Sequence, residues 1–147
     1  MKILMYAPIF PPIIGGPATQ AYNLCKALVA EGKLPIVVTP GNHFSVSNDE
    51  DFRVYRYPWN YIHPSVDRVL RWIIFPPYFF FLLLYLRPDV LHAHSVSASS
   101  FIAGLFAKLL RIPRIIKFAG DWVWETLSTQ KLRAEDFGDR PRLRRRF

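Results

Sequence analysis

Cysteine is nearly absent from this sequence, since Cys25 is the one copy in 147 residues. A lone cysteine excludes an internal disulfide, so a reducing compartment such as the cytoplasm is permitted. Cys25 falls on the apolar stripe of a predicted helix, which favours a buried small side chain over a reactive nucleophile. No Ser/His/Asp or Cys/His set is recognisable either, and the sequence therefore gives no support to covalent catalysis.

Long apolar runs are also missing. The amino terminus is apolar for only a few residues before Pro8, which is too short for a signal peptide. The uncharged segment 72–86 has 15 residues, fewer than the about 20 that a membrane-spanning helix needs, and Pro76 and Pro77 interrupt it. Two interpretations stay open: a helix packed against a sheet with both prolines in its first turn, and an interfacial helix anchored by aromatic rings and arginines.

Acidic residues are scarce, because 11 Asp and Glu stand against 19 Lys and Arg, a net charge of +8. The last seventeen residues carry seven basic and three acidic side chains, which is half of the excess. Zinc-finger, RNP and helix-turn-helix signatures are absent, so nucleic acid is not expected as a partner. A phosphorylated substrate and an anionic membrane surface remain, the latter through residues 68–87 and 140–146.

Strand and helix patterns alternate along the sequence. Residues 2–7 form a short apolar run stopped by prolines, which is typical of a buried parallel strand. Residues 18–31 repeat apolar side chains at helical spacing and end at Gly32. Residues 34–39 predict the second strand. Together these segments predict a βαβ unit of about thirty residues.

The alternation continues after this unit. Residues 41–51 are polar and predict a loop, and 52–57 predict a third strand towards a sheet edge. Residues 89–94 and 112–118 predict the fourth and fifth strands. The helix predicted at 97–110 has an apolar stripe of Phe101, Ile102, Leu105, Phe106, Leu109 and Leu110. The predicted fold class is α/β, a single Rossmann-like domain with a doubly wound parallel sheet.

The loop between the first strand and the first helix contains Gly15 and Gly16. Glycines let the backbone approach a ligand closely, and a helix start offers unpaired N–H groups with a partial positive charge. Phosphate or pyrophosphate is the matching ligand, with Thr19 in the first helical turn as a further contact. The loop has neither G-x-G-x-x-G nor Walker spacing, and a tight turn with positive φ explains the pair equally well.

His92 and His94 end the predicted fourth strand. Side chains alternate along a strand, so both imidazoles point to the same face. They lie at the carboxyl edge, where open α/β sheets bind ligands. A zinc site is not predicted, because no third ligand lies at a usual spacing. We expect His92 to be buried with its hydrogen bonds satisfied, and His94, nearer the edge, to contact a ligand.

The segment 120–125 follows the predicted fifth strand and combines acidic and indole side chains. Asp121 and Glu125 are four residues apart and share one face if a helix begins here. Asp121 also suits a helix N-cap. Carboxylates beside indole rings are common in sugar-binding sites, so Trp122 and Trp124 suit a carbohydrate, and they also suit a core.

Five pieces of this sequence, in order, resemble the amino-terminal domain of the retaining GT-B glycosyltransferases of family four, the group 1 relatives. They are MKILMYAPIFPPIIGGPA at 1–18, EG at 31–32, IVVTP at 36–40, RPDVLHAHS at 87–95 and IIKFAGDWVWE at 115–125. The resemblance spans about residues 1–126.

The resemblance implies two Rossmann-like domains that face each other across a cleft, with residues 1–126 on the acceptor side. A carboxyl-terminal domain, absent here, binds the nucleotide-sugar donor, and 127–147 form a basic polar tail that begins the remainder. The catalytic candidates are His94 and Asp121. The substrate-binding candidates are Gly15, Gly16, Thr19, Gly120, Trp122 and Glu125. Such enzymes need no divalent metal, and no cofactor is expected.

Two departures from the family pattern accompany the resemblance. Ala119 stands where many members carry an active-site histidine, and Lys33 replaces the histidine that usually follows the glycine after the first helix. The implied reaction transfers a sugar to a carbohydrate or lipid-linked acceptor of cell-envelope polysaccharide or glycolipid, with the isolated chain inactive. The implied location is cytoplasmic, peripheral on the inner face of the plasma membrane. The alternative is a stand-alone Rossmann module that binds a nucleotide or an anionic lipid without catalysis.

Overall fold

The computed structural model describes residues 1–49, 51–58 and 64–117. The elements are β1 (Lys2–Tyr6), α1 (Gly16–Ala30), β2 (Leu34–Gly41), β3 (Ser45–Asp49), β4 (Phe52–Pro58), α2 (Pro64–Leu86), β5 (Val90–Ala93), α3 (Ala98–Leu109) and β6 (Arg114–Ile116). These strands form one sheet in the order β3-β4-β2-β1-β5-β6, parallel except between β3 and β4. The predicted α/β class with a Rossmann-like sheet is confirmed.

Strand β1 lies at the centre of the sheet and is buried on both faces. It pairs with β2 and β5, so that Tyr6 lies beside Val38 on one side and Ala93 on the other. Leu4 and Tyr6 face one layer of the core while Met5 faces the other, as the two-residue repeat of a strand requires. Burial on both faces explains the uninterrupted apolar run in this strand.

Helix α1 covers one face of the sheet through small side chains. Ala18, Ala21 and Cys25 are buried on this face, and the Cys25 sulfur lies 3.7 Å from the Met5 sulfur. The predicted burial of Cys25 is confirmed. The helix ends before Gly32, whose φ of 68° lies in the left-handed region that favours glycine.

Helix α2 covers the opposite face of the sheet, and its start was predicted wrongly. Pro76 and Pro77 lie in the interior of this 23-residue helix, not in its first turn. Each proline removes one backbone hydrogen bond, and burial of large side chains compensates for that loss. Phe75 and Phe79 are completely buried, with ring centroids 5.1 and 5.8 Å from that of Tyr6. The interpretation of 72–86 as a segment packed against the sheet is confirmed for one side of the helix.

The outer side of α2 is apolar as well. Phe81 and Tyr85 are exposed, and their rings stack with a centroid distance of 6.0 Å. Ile73 and Leu84 are also exposed. Within the described ranges, no helix combines the length and the apolar character that crossing a membrane requires.

Helix α3 lies on the same sheet face as α2 but packs through small residues. Ser97 caps the helix by accepting a hydrogen bond of 3.1 Å from the Ser100 amide. Its buried residues are Ser99, Ser100, Ala103, Gly104 and Ala107. The predicted apolar stripe is divided, because Phe101, Leu105 and Leu109 are exposed. Its other members pack against the core as partly buried side chains: Ile102, Phe106 and Leu110.

Strand β3 corrects the prediction of a loop at 41–51. It pairs antiparallel with β4, with Val46 beside Tyr55. Arg56 of β4 stabilises this pair by donating a hydrogen bond of 2.6 Å to the Ser47 hydroxyl oxygen. The strand lies at the sheet edge, and Val46, its one apolar residue, is exposed. An edge strand of this composition has no alternating apolar pattern by which it could be predicted.

Candidate functional site

The carboxyl ends of β1, β5 and β6 meet the start of α1 at one edge of the sheet, which we call the carboxyl rim. The His94 amide donates a hydrogen bond of 2.9 Å to the Tyr6 carbonyl, and the Lys117 amide donates one of 2.8 Å to the Ala93 carbonyl. The Lys117 ammonium reaches α1, where it donates to the Gln20 side-chain oxygen at 2.9 Å. The rim therefore joins elements that are far apart in the sequence.

Gly15 and Gly16 lie at the start of α1, and neither has a backbone conformation reserved for glycine. Gly15 has a φ of 168°, which is extended. Among the glycines that the structure describes, Gly32 is the one with a positive φ, so the tight-turn interpretation of the pair is wrong. A Cβ atom placed on Gly16 would meet no atom within 4 Å. The absent side chain leaves open space in front of the helix.

The first turn of α1 presents backbone donors without a competing negative charge. No acidic residue lies in this turn, and no side chain caps it. Thr19 donates its amide and hydroxyl hydrogens to the Gly15 carbonyl, at 3.0 and 3.1 Å. The first amides of a helix have no carbonyl one turn earlier to which they could donate, so the amides of Gly16 and Ala18 lie outside the helical hydrogen bonds. Pro17, between them, has no N–H. Such a helix start favours a bound anion.

His92 and His94 lie at the end of β5, with ring centroids 5.6 Å apart. His94 is only 2% exposed, yet neither of its ring nitrogens has a hydrogen-bond partner in the described part of the chain. The Nδ1 atom of His92 and the Ser95 hydroxyl lack one as well. The expectation of a satisfied His92 is therefore wrong for this nitrogen. Buried polar groups without hydrogen-bond partners are rare in folded proteins.

The structure holds both imidazoles in the neutral form at pH 7. Burial is the largest cause that lowers the pKa of His94 from its usual 6.5 to about 4, followed by the charges of Lys117 and His92. The Pro17 carbonyl opposes this shift but lies outside hydrogen-bonding geometry. Burial and Lys117 also lower the pKa of His92. A neutral imidazole can accept a hydrogen bond from a hydroxyl group.

Lys117 is a residue of the rim that sequence reasoning missed. It directly follows β6, whose Ile116 pairs with Ala93, so it lies beside His94 across the two strand ends. This position was the available sequence signal, because the same edge holds the two histidines. The Lys117 ammonium bonds to the neutral Gln20 oxygen, and no carboxylate of the described ranges neutralises it. Among the described residues, the partner of this ammonium is thus an uncharged amide.

The remaining candidates lie outside the described residues. These are Gly120, Asp121, Trp122 and Glu125. In the ranges that are described, no three His, Cys, Asp or Glu side chains are grouped so that they could hold a metal ion. A cavity of about 470 Å³, whose lining includes Lys2, Asp51 and Arg53, lies at the opposite edge of the sheet and is separate from the rim.

Comparison with known families identifies the family to which the chain belongs. The family model of the glycosyl transferase 4-like domain matches residues 15–147, beginning at the first glycine of the pair. The chain belongs to the glycosyl transferase 4-like domain family. No curated protein matches it. The resemblance to family-four enzymes is thereby confirmed, and this glycosyl transferase 4-like domain is a glycosyltransferase-type module.

Proposed function

We propose that the chain forms the acceptor-side half of a cleft in which a sugar is transferred from a nucleotide-sugar donor. A donor-binding domain completes the cleft. The acceptor is a carbohydrate or a lipid-linked group of cell-envelope polysaccharide or glycolipid. Family membership supports the reaction class. The observation that carries the proposal is the open helix start at Gly16 beside the buried, unpartnered imidazole of His94.

The start of α1 is suited to the diphosphate of the donor. The amides of Gly16 and Ala18 are available there, and the space in front of Gly16 lets phosphate oxygens approach the backbone. Negative charge grows on the diphosphate as the bond to the sugar breaks. Donors fixed at this position stabilise the transition state more than the bound substrate, which is the requirement for catalysis.

His94 is suited to orient the acceptor hydroxyl. With a pKa of about 4, its imidazole is neutral at pH 7 and can accept a hydrogen bond from that hydroxyl. It would not retain a proton at this pH, so we assign the final proton to a phosphate oxygen of the donor. Asp121 stays a catalytic candidate outside the described residues.

The substitution Gly16→Leu tests the helix start. We join the chain to the donor-binding domain of a family member and measure transfer from radiolabelled nucleotide sugars. The leucine side chain fills the open space, so transfer should fall about tenfold or more. Asn23→Leu is the matched control, because it adds the same side chain at an exposed position about two turns along α1. Equal activity of both variants would contradict the proposal.

The need for a donor domain is tested with the 147-residue chain alone. Given nucleotide sugars and lipid-linked acceptors, it should show no turnover, because the donor side of the cleft is not supplied. Sugar transfer by this chain alone would show that it carries a complete site. Saturable nucleotide binding, with no transfer even after fusion to a donor domain, would favour the alternative of a stand-alone binding module.

A second proposal is attachment to an anionic membrane surface, and the outer sides of α2 and α3 favour it. Phe81, Tyr85, Phe101 and Leu109 on these sides are between 61% and 71% exposed. A groove of about 470 Å³ between α2 and the β3–β4 pair is lined by apolar and aromatic side chains and includes Phe81 and Tyr85. Exposed basic residues follow at the carboxyl ends of the helices: Arg87, Lys108 and Arg111. This combination suits an anionic lipid interface.

Vesicle flotation tests this attachment. The chain should float with phosphatidylcholine vesicles that contain phosphatidylglycerol, and less so at high salt. The double substitution Phe81→Ser and Phe101→Ser should reduce flotation, whereas Ile14→Ser removes an exposed apolar side chain elsewhere and should not. Flotation that ignores both anionic lipid and salt would exclude the electrostatic contribution. The basic segment 140–146 lies outside the described residues.

A further inference from the structure

The loop between β1 and α1, residues 7–15, is attached to the core through its first half. The Phe10 ring is 1% exposed and packs against the Phe52 ring, with a centroid distance of 6.2 Å. The Phe10 carbonyl accepts a hydrogen bond of 3.2 Å from the Ile13 amide, which closes a turn. The next side chain, that of Ile14, is 98% exposed. An exposed stretch thus separates the attached part of the loop from the start of α1.

Arg56 of β4 makes a second attachment of this loop. Its guanidinium donates from one nitrogen to the Pro11 carbonyl at 3.1 Å and from the other to the Ser47 hydroxyl oxygen at 2.6 Å. Pro11 and Arg56 are 45 positions apart in the sequence. One side chain therefore joins the β1–α1 loop to both strands of the β3–β4 pair. A guanidinium suits this place, because it holds several donors in a fixed planar geometry, whereas an ammonium is a single compact donor group.

Gly41, the last residue of β2, leaves the space that the Arg56 side chain crosses. A Cβ atom placed on Gly41 would lie 3.0 Å from the Cβ atom and 3.1 Å from the Cδ atom of Arg56. Both distances are shorter than ordinary van der Waals contact, so even a methyl group would displace the arginine. Gly41 does not have the positive φ of Gly32. The close approach of Arg56, and not the backbone conformation, therefore accounts for a glycine at this position.

We propose that Arg56 is a positioning residue, which fixes the β1–α1 loop and thereby sets where the start of α1 lies in the sugar-transfer site. The inference rests on the proposed function and adds a residue that acts through the loop and not on the substrate. Backbone donors stabilise a transition state best when they are held in place before the substrate binds. The bond from Arg56 to Pro11 restrains the chain five residues before Gly16, ahead of the exposed stretch that contains Ile14.

Hydrogen exchange in the 147-residue chain tests the attachment without an assay of sugar transfer. Arg56→Ala should speed exchange of the Ile13 amide about tenfold or more, because the turn that protects this amide loses one of its two attachments. Nuclear magnetic resonance measures this rate. Arg53→Ala is the matched control, since Arg53 also lies on β4 but is exposed, and it should leave the rate unchanged.

Two further variants separate the loop from the β3–β4 pair. Ser47→Ala removes the bond to β3 and leaves the bond to Pro11, so the Ile13 amide should exchange as in the parent chain. Gly41→Ala retains the guanidinium but displaces the side chain of Arg56, so exchange should speed up about threefold. Equal acceleration in Ser47→Ala and Arg56→Ala would mean that Arg56 serves only the strand pair, and would overturn the inference.

Sugar transfer by the joined two-domain protein tests the consequence for catalysis. Arg56→Ala should lower kcat/KM about tenfold, because the helix start is no longer held in place. Guanidinium ions at millimolar concentration should restore part of this loss, since they can occupy the vacated space and donate to the Pro11 carbonyl. Arg53→Ala should keep the parent activity with and without guanidinium. A loss in Arg56→Ala that guanidinium does not reduce would assign it to a general defect of the fold and overturn the inference.

Unchanged exchange of the Ile13 amide in Arg56→Ala also overturns the inference, whatever the joined protein does. The proposed function fails separately. If the joined protein transfers sugar and loses activity through Gly16→Leu while Arg56→Ala stays fully active, the function stands and the inference falls. If Arg56→Ala frees the loop but the joined protein never transfers sugar, the attachment by Arg56 stands and the function falls.

Discussion

The surroundings of His94 make the stability of the folded chain depend on pH. Its pKa in the folded chain is about 4, against a usual value of 6.5. Between these pH values the unfolded chain binds a proton that the folded chain does not. Stability that depends on neutral His94 is therefore complete above about pH 6.5 and is lost as the pH falls towards 4.

The pH dependence of unfolding should become shallower in His94→Gln. A pKa difference between 6.5 and about 4 corresponds to a stability change on the order of 3 kcal/mol. Urea unfolding between pH 4 and 7 measures this change, and His43→Gln, at an exposed position, is the control. Equal pH slopes for the parent chain and His94→Gln would contradict a buried neutral imidazole.

The same substitution at two glycines should change the free energy of unfolding by different amounts. Gly32→Ala places a Cβ atom at a φ of 68° and should cost about 1 kcal/mol. Gly16→Ala meets no atom within 4 Å and no positive φ, so its effect on stability should stay within about 0.5 kcal/mol. Chemical denaturation of the two variants tests this difference. A large loss of stability in Gly16→Ala would mean that this glycine is needed for the fold.

At the scale of elements, α2 has two apolar sides with different roles. Phe79→Ala removes a completely buried ring that contacts Tyr6 and Phe75, and should cost about 3–5 kcal/mol. Phe81→Ala lies two residues away but removes a side chain that is 61% exposed, and should cost less than about 0.5 kcal/mol. Thermal or urea unfolding of both variants measures the contrast. Similar losses would mean that α2 is rotated relative to the sheet.

Sequence periodicity predicted the elements in which burial determines the residue type along each face. The predicted boundaries lie within a few residues of the observed ones for strands β1, β2 and β5 and for helix α1. Central strands must be apolar, and α1 has one buried stripe. The prolines of α2 misled the prediction, since packing of Phe75 and Phe79 overrides the local preference against them. Helix α3 misled it differently, because its fully buried residues are small whereas Phe101, Leu105 and Leu109 of the predicted stripe are exposed. Strand β3 is specified by pairing with β4 and not by its own pattern.

At the scale of the whole molecule, stability should fall from the centre of the sheet to its edges. Strand β1 is paired on both sides and buried, whereas β3 has one partner and an exposed apolar residue, Val46. Amide hydrogen exchange followed by mass spectrometry should therefore be slowest in β1 and β2 and at least about tenfold faster in β3. Exchange in β3 as slow as in β1 would indicate that this edge is covered by another surface.

The candidate site could be predicted in part, for reasons that differ between residues. The location of Gly16 and His94 at one edge of the sheet was predicted, because a helix start and a strand end follow from local patterns. The missing partners of the His94 nitrogens could not be predicted, because they depend on which side chains the sheet order brings together. The position of Lys117 at a strand end was an available sequence signal, but its contact with Gln20 joins residues 97 positions apart and could not be predicted from a sequence pattern.

Neither ring nitrogen of His94 has a hydrogen-bond partner among the described residues, so a ligand that bonds to them should raise the melting temperature of the domain. Such a compound binds only to the folded chain. Above its dissociation constant, each tenfold increase in its concentration therefore adds about 1.4 kcal/mol to the free energy of unfolding. Heating the chain with a panel of sugar phosphates, nucleotides and lipid head groups would rank these compounds without any turnover. Such a ranking would identify compounds that bind this domain without an assay of sugar transfer.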